Sequence, residues 1–235
     1  MNYNPIICAL DTKDLNIAID LCKKIKPYIG MVKLGLEFFL ANGNNGVKAI
    51  ESLGLPIFLD LKLHDIPNTV AKAIENVVNL NVKFVTIHTL GGRKMLQSAS
   101  LSARDYSLNN NKKAPEILGV TVLTSMDKED LEEIGIRKSA KEQVKMLARL
   151  AHISGLDGVI CSPHEIKIVK EICGSKFKTI VPGIRAEHDA KDDQKRTLTA
   201  AEAIKEGADY LVIGRPITAS SDPIAAARSI WESIK

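Results

Sequence analysis

Charged residues inside two of the most apolar segments of the sequence could carry acid–base chemistry. Asp60 and Lys62 lie two residues apart in FLDLKLHD, so on a β-strand both point to the same face, away from the leucines between them. Asp65 ends this segment, and Lys33 lies within VKL. A buried charge is costly unless it is paired, and lysine is rarely buried alone. We therefore predict an alternating array of Lys33, Asp60, Lys62 and Asp65, which keeps an ammonium group protonated and positioned as a general acid.

Two glycine–arginine segments could bind an anion. The segments VPGIR and IGRP end two apolar stretches late in the chain, and they contain Gly183 with Arg185 and Gly214 with Arg215. Glycine lets backbone N–H groups approach an anion closely, and arginine offers a planar fork to its oxygens. We therefore predict a phosphate site here. The charged segment 186–196, almost free of apolar residues, is expected to close over it as a lid.

Other interpretations of these residues are open. Asp60 and Lys62 could form a purely structural ion pair, and each arginine could be solvated at the end of a turn. His64 and His88 could join Asp60 and Asp65 in a metal site. The metal interpretation is disfavoured because the two lysines of the array place cations where a metal ion needs ligands. We expect the histidines to be structural and the site to hold no metal.

The elements that must position these residues follow one rhythm repeated eight times. Short, β-branched apolar segments alternate with segments of helical periodicity. The strand segments are continuously apolar, as expected when protein covers both faces of a parallel sheet. This pattern predicts an α/β fold, a (β/α)8 TIM barrel, with residues 1–235 forming a single catalytic domain. A doubly wound open sheet is the rival fold, but the GxGxxG loop typical of its dinucleotide-binding members is absent after the first strand.

The predicted boundaries place the candidate residues at one end of the barrel, because active sites of this fold lie at the C-terminal ends of the strands. The predicted strands are ICALD, MVKLGLE, PIFLDLKL, KFVTIHTL, EILGVTVL, DGVICS, KTIVPGI and YLVIGRP. The predicted helices cover residues 15–28, 47–53, 68–80, 93–106, 140–153, 163–172, 198–206 and 223–234. The NGNNG segment near Asn42 is predicted to be a loop.

Composition excludes several classes of protein. The chain has 235 residues, a formal net charge of +4 and 45% hydrophobic residues, as in an ordinary globular protein. Aromatic residues make up 4% and no Lys/Arg block occurs, so we expect no nucleic-acid partner. No apolar run approaches the roughly 20 residues that span a bilayer, and the N-terminus lacks a signal-peptide pattern. The four cysteines form no CxxC pair, which indicates reduced thiols in a cytoplasmic protein.

The segment LDLKLHDIPNTV closely resembles the strand-three motif of the orotidine 5′-phosphate decarboxylase family. The segments ALDTKD, VKLGLEFF, VTVLTSM, VPGIR and IGRPIT occur in the family's order and at matching strand ends, so the resemblance covers the chain from end to end. The D-x-K-x-x-D string alone is moderately specific for the family, whereas six matching segments in register are strong evidence for it. The resemblance implies the bacterial-type, single-function enzyme, which converts orotidine 5′-monophosphate to uridine 5′-monophosphate and carbon dioxide without a cofactor.

The resemblance also implies a role for each matching residue. Lys62 donates a proton to C6 of the pyrimidine as carbon dioxide leaves, and Asp60 and Lys33 hold it in place. Asp65, Ile66 and Thr69 reach the site from the partner subunit of a homodimer with shared active sites, with Asp65 near the substrate carboxylate. The other substrate-binding residues are Asp11 and Lys33 at the ribose, Thr124 (with Ser125 as the alternative) at the pyrimidine, and Pro182, Gly183, Arg185, Gln194, Gly214 and Arg215 at the phosphate.

Two rival functions are open. Metal-dependent sugar-phosphate enzymes of the same suprafamily, a 3-keto-gulonate-6-phosphate decarboxylase or a hexulose-phosphate synthase, bind magnesium partly through an acidic residue on strand two. Lys33 occupies that position here, which argues against them. A barrel that binds a nucleotide without turning it over is the second rival, but every charge expected for the chemistry is present.

Overall fold

Eight parallel strands close into a barrel. The computed structural model describes residues 3–184 and 198–235, and within these ranges each strand pairs with the next one along the chain and β8 pairs with β1. The strands are β1 (Ile6–Ala9), β2 (Met31–Leu34), β3 (Ile57–Leu63), β4 (Phe84–His88), β5 (Glu116–Val120), β6 (Gly158–Ile160), β7 (Lys178–Val181) and β8 (Tyr210–Ile213). The predicted (β/α)8 architecture is therefore confirmed.

Helices cover the outside of the barrel. In the described ranges they are α1 (Leu15–Ile25), α2 (Leu36–Glu51), α3 (Pro67–Val78), α4 (Gly92–Asn109), α5 (Lys128–Glu133), α6 (Ala140–Ile153), α7 (Ile166–Cys173), α8 (Ala200–Lys205), α9 (Arg215–Thr218) and α10 (Pro223–Ser233). Short 3-10 turns cover Lys26–Tyr28, Thr89–Gly91 and Pro163–Glu165. None of the helices in the described part of the chain is both long and apolar enough to span a membrane.

The clearest difference from the predicted elements lies in α2. The NGNNG segment was expected to be a loop, but it lies inside this helix, where Gly43 has a φ of 56° and kinks the chain. Phe38, Val47 and Ile50 are buried on both sides of the kink. Their packing against the barrel outweighs the weak helix propensity of glycine and asparagine, which is a modest effect per residue. The prediction of a loop was therefore wrong for the segment as a whole, although the helical conformation is interrupted at Gly43.

The barrel has an inner and an outer apolar layer because successive strand residues point to opposite faces. The inner layer consists of Ile7, Met31, Phe58, Phe84, Leu118, Ile180 and Tyr210. The outer layer lies between strands and helices and includes Leu59 and Val85, which directly follow two inner residues. Both layers are needed to bury the strands, which explains why the strand segments are continuously apolar.

Polar side chains close the N-terminal end of the barrel. Lys178 Nζ lies 2.6 Å from Glu116 Oε2, and Lys83 Nζ donates to the Tyr210 hydroxyl at 3.3 Å. Burial opposes the charge of Lys178, but the hydrogen bond and charge of Glu116 outweigh it and raise the pKa of the ammonium. These residues lie at or just before the first positions of their strands, and Tyr210 also belongs to the inner apolar layer.

The inner layer predicts a large effect of removing one of its rings. The Phe84 ring packs edge-on against Phe58 and Tyr210, with centroids 6.0 and 5.1 Å apart. We expect Phe84→Ala to lower the free energy of unfolding by about 3–5 kcal/mol, because the lost contacts leave a cavity. Leu108→Ala is the control, since that side chain is 79% exposed. If denaturant unfolding shows the same loss in free energy of unfolding for both variants, the packing role of Phe84 is contradicted.

Candidate active site

A cavity of about 490 Å³ lies at the C-terminal ends of the strands, where the barrel fold places active sites. Its volume is in the range of small-molecule sites. Phe58 of the inner layer and apolar side chains near it form one part of the lining, together Ala9, Phe58, Val120, Ile160 and Val212. Charged residues, glycines and threonines form much of the rest, so the cavity combines an apolar surface with convergent polar groups.

The charged part of the lining is a chain of alternating carboxylates and ammonium groups. Lys62 Nζ lies 2.9 Å from Asp60 Oδ2, and Lys33 Nζ lies 3.7 Å from the same oxygen. Lys33 Nζ also lies 3.3 Å from Asp11 Oδ1. The structure therefore brings together Lys33, Asp60 and Lys62 as the sequence spacing predicted, and it adds Asp11 at the other end.

Asp60 is the most enclosed member of this array. It is 8% exposed, and its second oxygen, Oδ1, accepts a hydrogen bond of 2.9 Å from the Thr86 hydroxyl. Burial alone would raise the pKa of this carboxyl, but the charges of Lys33 and Lys62 and the two side-chain hydrogen bonds outweigh burial and lower it. Asp60 is therefore ionised and holds both ammonium groups against it.

The backbone at Lys62 is strained. Lys62 has a φ of 50°, in the left-handed region that residues with a side chain seldom adopt. The pairing of β3 with β4 shifts register between Leu59 and Leu63 at the same place. The Lys62 N–H donates to the Thr86 hydroxyl oxygen at 2.9 Å. This irregularity turns the end of β3 and directs the Lys62 side chain, which is 33% exposed, to the cavity.

Three predicted site residues lie outside this cavity. Asp65, Ile66 and Thr69 are exposed, and Ile66 is 67% exposed. Asp65 Oδ1 accepts a hydrogen bond of 2.6 Å from the Ile66 N–H, and Asp65 forms no ion pair with any described residue. The array within one chain therefore ends at Lys62 and does not extend to Asp65.

Four of the predicted phosphate-binding residues line the cavity at the ends of β7 and β8. Pro182, Gly183, Gly214 and Arg215 line it, and Gly183 has a φ of 80°, which favours glycine. Arg185 and Gln194, with the predicted lid 186–196, lie outside the described residues. Thr124 lines the cavity, whereas its neighbour Ser125 is exposed.

The two histidines stack beside the array. Their ring centroids lie 5.4 Å apart at an interplanar angle of 19°, and His88 Nδ1 accepts a hydrogen bond from the Leu90 N–H at 3.4 Å. Burial, followed by the charges of His64 and Lys62, lowers the pKa of His88. Among residues 3–184 and 198–235, no group of three His, Cys, Asp or Glu side chains is placed to hold a metal ion.

Several residues of the site were not predicted from the sequence, among them Thr86, Cys161 and Thr218. The last two line the cavity. A signal for Thr86 was available, because it lies two residues after Phe84 on the same face of β4 and therefore faces the barrel interior. Threonine is common in strands on propensity alone, so its type gave no indication of a role.

Comparison with known proteins identifies close relatives over the whole chain. The model of the "Orotidine 5′-phosphate decarboxylase / HUMPS family" matches residues 4–230. The orotidine 5′-phosphate decarboxylases of Wolbachia pipientis and Ehrlichia canis are each 53% identical over 231 residues, covering 98% of this chain and 99% and 98% of theirs. The crystal structure of orotidine 5′-phosphate decarboxylase from Lactobacillus acidophilus is 37% identical, with a TM-score of 0.86 and 99% of both chains covered.

The lowered pKa of Asp60 predicts a pH-dependent stability difference. A carboxyl whose folded pKa lies below its unfolded value of about 3.9 stabilises the fold above that pH and loses this contribution as the pH falls through the folded pKa. We expect Asp60→Asn to unfold more easily by about 2–3 kcal/mol from about pH 5 to 8, and the difference to close below about pH 4. The expected loss of stability is smaller than that for breaking a fully buried ion pair, because Lys62 is partly exposed.

Urea unfolding at a series of pH values measures this difference. Asp20→Asn is the control, because Asp20 forms an exposed ion pair with Lys24 on α1, and we expect little change at any pH. A difference for Asp60→Asn that widens toward acid pH would contradict the ionised state of Asp60.

Proposed function

The chain belongs to the orotidine 5′-phosphate decarboxylase / HUMPS family, and we propose that it converts orotidine 5′-monophosphate to uridine 5′-monophosphate and carbon dioxide. It then acts as a carboxy-lyase in the last step of UMP biosynthesis. The observation that carries the proposal is the ammonium group of Lys62, held 2.9 Å from ionised Asp60 at the lining of the cavity.

The chemistry requires stabilisation of a localised electron pair. When the bond from C6 to the carboxylate carbon breaks, the pair remains on C6 in the plane of the pyrimidine, where the π-system cannot delocalise it. The Lys62 ammonium stabilises this charge electrostatically and donates its proton to C6, so carbon dioxide leaves and uridine 5′-monophosphate forms. Asp60 and Lys33 hold Lys62 in place, Asp60 by direct contact and Lys33 through the same carboxylate oxygen, so the stabilisation needs no reorganisation during the reaction.

The remaining lining residues fit the other parts of the substrate. Asp11, next to Lys33, binds ribose hydroxyls, and Thr124 contacts the pyrimidine edge. The phosphate is held by the glycines and Arg215 at the ends of β7 and β8, together with two residues outside the described ranges. The complete set proposed for the phosphate is Pro182, Gly183, Arg185, Gln194, Gly214 and Arg215, of which Arg185 and Gln194 lie outside the described ranges. Binding energy from the phosphate thereby orders the site around the reacting carbon.

We also propose a homodimer with shared active sites. Asp65, Ile66 and Thr69 are exposed on one chain, and an exposed isoleucine next to a carboxylate without an ion pair to a described residue fits a surface that a second copy covers. From the partner subunit, Asp65 would lie beside the substrate carboxylate. At ~3 Å and an effective dielectric constant of ~20, two such charges repel by roughly 5–6 kcal/mol, and the repulsion ends as neutral carbon dioxide departs.

The cysteines bear on the cellular location, and Lys33 bears on the need for a metal. The four cysteines all lie in the described part of the chain, are buried and form no disulfide there, which supports a reducing, cytoplasmic location. Lys33 contacts two carboxylates where the metal-dependent relatives supply an acidic ligand, which supports a reaction without magnesium. The absorbance of orotidine 5′-monophosphate provides a direct assay that distinguishes these alternatives.

The first test is turnover by the purified protein in excess EDTA. We expect loss of substrate absorbance, and we expect Lys62→Ala to reduce kcat/KM by at least about 10³-fold, because it removes both the proton donor and the electrostatic stabilisation. Lys72→Ala is the matched control, since Lys72 is exposed on α3 and forms an ion pair with Glu75 one turn along the same helix. Activity that requires magnesium and a sugar phosphate would overturn the proposal.

The second test is complementation between two inactive dimers. Lys62→Ala and Asp65→Ala chains should form hybrids in which one site has both intact residues, so random exchange should restore about a quarter of the original activity. Mixing Lys62→Ala with Asp60→Ala is the control, because both residues belong to the site of one chain and no hybrid site is intact. Proven subunit exchange without recovery of activity would contradict shared sites.

A further inference from the structure

One buried hydroxyl group connects the charged array to the backbone of the proposed proton donor. We infer that Thr86 is a positioning residue that fixes both the Asp60 carboxylate and the Lys62 ammonium for the reaction. The inference rests on the proposed function for its catalytic consequence, but the coupling among Thr86, Asp60 and Lys62 is a property of the folded protein with or without substrate.

Thr86 makes two hydrogen bonds of opposite direction. Its hydroxyl donates to Asp60 Oδ1 at 2.9 Å and accepts from the Lys62 N–H at 2.9 Å. A hydroxyl has one proton, so donation to the carboxylate leaves its lone pairs for the N–H group, and both bonds form at once. Thr86 is fully buried, so water does not substitute for either partner in the folded protein.

The first bond orients the carboxylate. Asp60 Oδ2 faces both ammonium groups, at 2.9 Å from Lys62 Nζ and 3.7 Å from Lys33 Nζ. The Thr86 hydroxyl occupies the other oxygen and thereby prevents rotation of the carboxylate about its terminal torsion, which is otherwise soft. Because Oδ2 holds the Lys62 ammonium, the orientation of Asp60 decides where the proposed proton donor points.

The second bond supports the strained backbone of Lys62. At a φ of 50° and with the register of β3 against β4 shifted, the Lys62 N–H donates to the Thr86 side chain of β4. Unusual backbone conformations of this kind persist only when surrounding contacts hold them. Thr86 therefore acts on Lys62 in two ways: it holds the Lys62 backbone directly, and it holds the Asp60 carboxylate that positions the Lys62 ammonium group.

Replacement of the hydroxyl by a group of the same shape separates positioning from packing. Thr86→Val keeps the branched side chain but leaves Asp60 Oδ1 and the Lys62 N–H without a partner. Thr86→Ser keeps the hydroxyl and removes only a methyl group. We expect Thr86→Val to lower kcat about 10²-fold, the effect of a small misplacement of a catalytic group, with KM changed only a few-fold. Thr86→Ser should retain most of kcat, because its hydroxyl can make both hydrogen bonds. KM should change little in either variant, because residue 86 is not among the proposed phosphate and ribose contacts.

A second readout does not depend on turnover. The Thr86 hydrogen bond is one of the contacts that lower the pKa of Asp60, alongside those of Lys33 and Lys62. Carboxyl carbon NMR, with the Asp60 signal assigned by its absence in Asp60→Asn, should show Asp60 titrating at higher pH in Thr86→Val than in the unaltered protein or in Thr86→Ser. Asp11 lies beyond Lys33, and its signal should change little.

Thr179→Val is the matched control. Thr179 is also fully buried, and its hydroxyl interacts with Asp209 on the far side from the array, so its loss should affect stability without changing kcat or the titration of Asp60. If Thr86→Val does not fold, Thr86→Cys takes its place, because a thiol is a weak hydrogen-bonding group.

The outcomes distinguish this inference from the proposed function. Normal kcat and an unchanged Asp60 titration in Thr86→Val would overturn it, and so would a loss of kcat that Thr86→Ser shares equally. If the unaltered protein does not turn over orotidine 5′-monophosphate, the proposed function fails. The Asp60 titration then decides the inference alone: a raised pKa in Thr86→Val supports the coupling, and an unchanged pKa overturns it.

Discussion

The interaction on which the site depends is the buried Asp60 carboxylate between two ammonium groups. Removing a carboxylate from water costs several kcal/mol unless cations and hydrogen bonds compensate. Lys62 and Lys33 supply the cations at one oxygen, and Thr86 supplies a hydrogen bond at the other. In return, ionised Asp60 allows two lysines to lie close together at a mostly enclosed position. Lys33 comes from β2, Asp60 and Lys62 from β3, and Thr86 from β4, so the array exists only when these three neighbouring strands are in register.

The barrel provides the rigidity that such an array requires. An inner layer of apolar side chains, in which the Phe84 ring makes T-shaped contacts with Phe58 and Tyr210, lies beneath the charged residues. Close packing of this kind leaves side chains few alternative positions. The strained backbone at Lys62 is tolerated because this layer and the β4 hydroxyl hold it. The stable packing of the inner apolar layer thus supports the unfavourable backbone conformation of Lys62, which positions its side chain before the reaction.

Much of this could be predicted from the sequence because periodicity is a local signal. Continuously apolar strands alternating with helices indicated the barrel, and the two-residue spacing of Asp60 and Lys62 placed both side chains on one face. Prediction failed where packing overrode local preference. The NGNNG segment has the composition of a loop, yet it continues α2 because Phe38, Val47 and Ile50 are buried against the barrel. The strength of such packing depends on residues distant in sequence, which a local pattern does not contain.

The sequence by itself determined the fold class, the ion pair of Asp60 with Lys62 and the glycine-rich ends of the last two strands. Only the tertiary structure decided that Thr86 joins Asp60 to the Lys62 backbone, that Lys62 adopts a left-handed conformation, and that Asp65 stays outside the array of its own chain. The physical reason is that these features arise from a shift in register between two strands. Alternation along one strand fixes which face a residue takes, whereas contact between strands depends on their register, which the barrel as a whole sets.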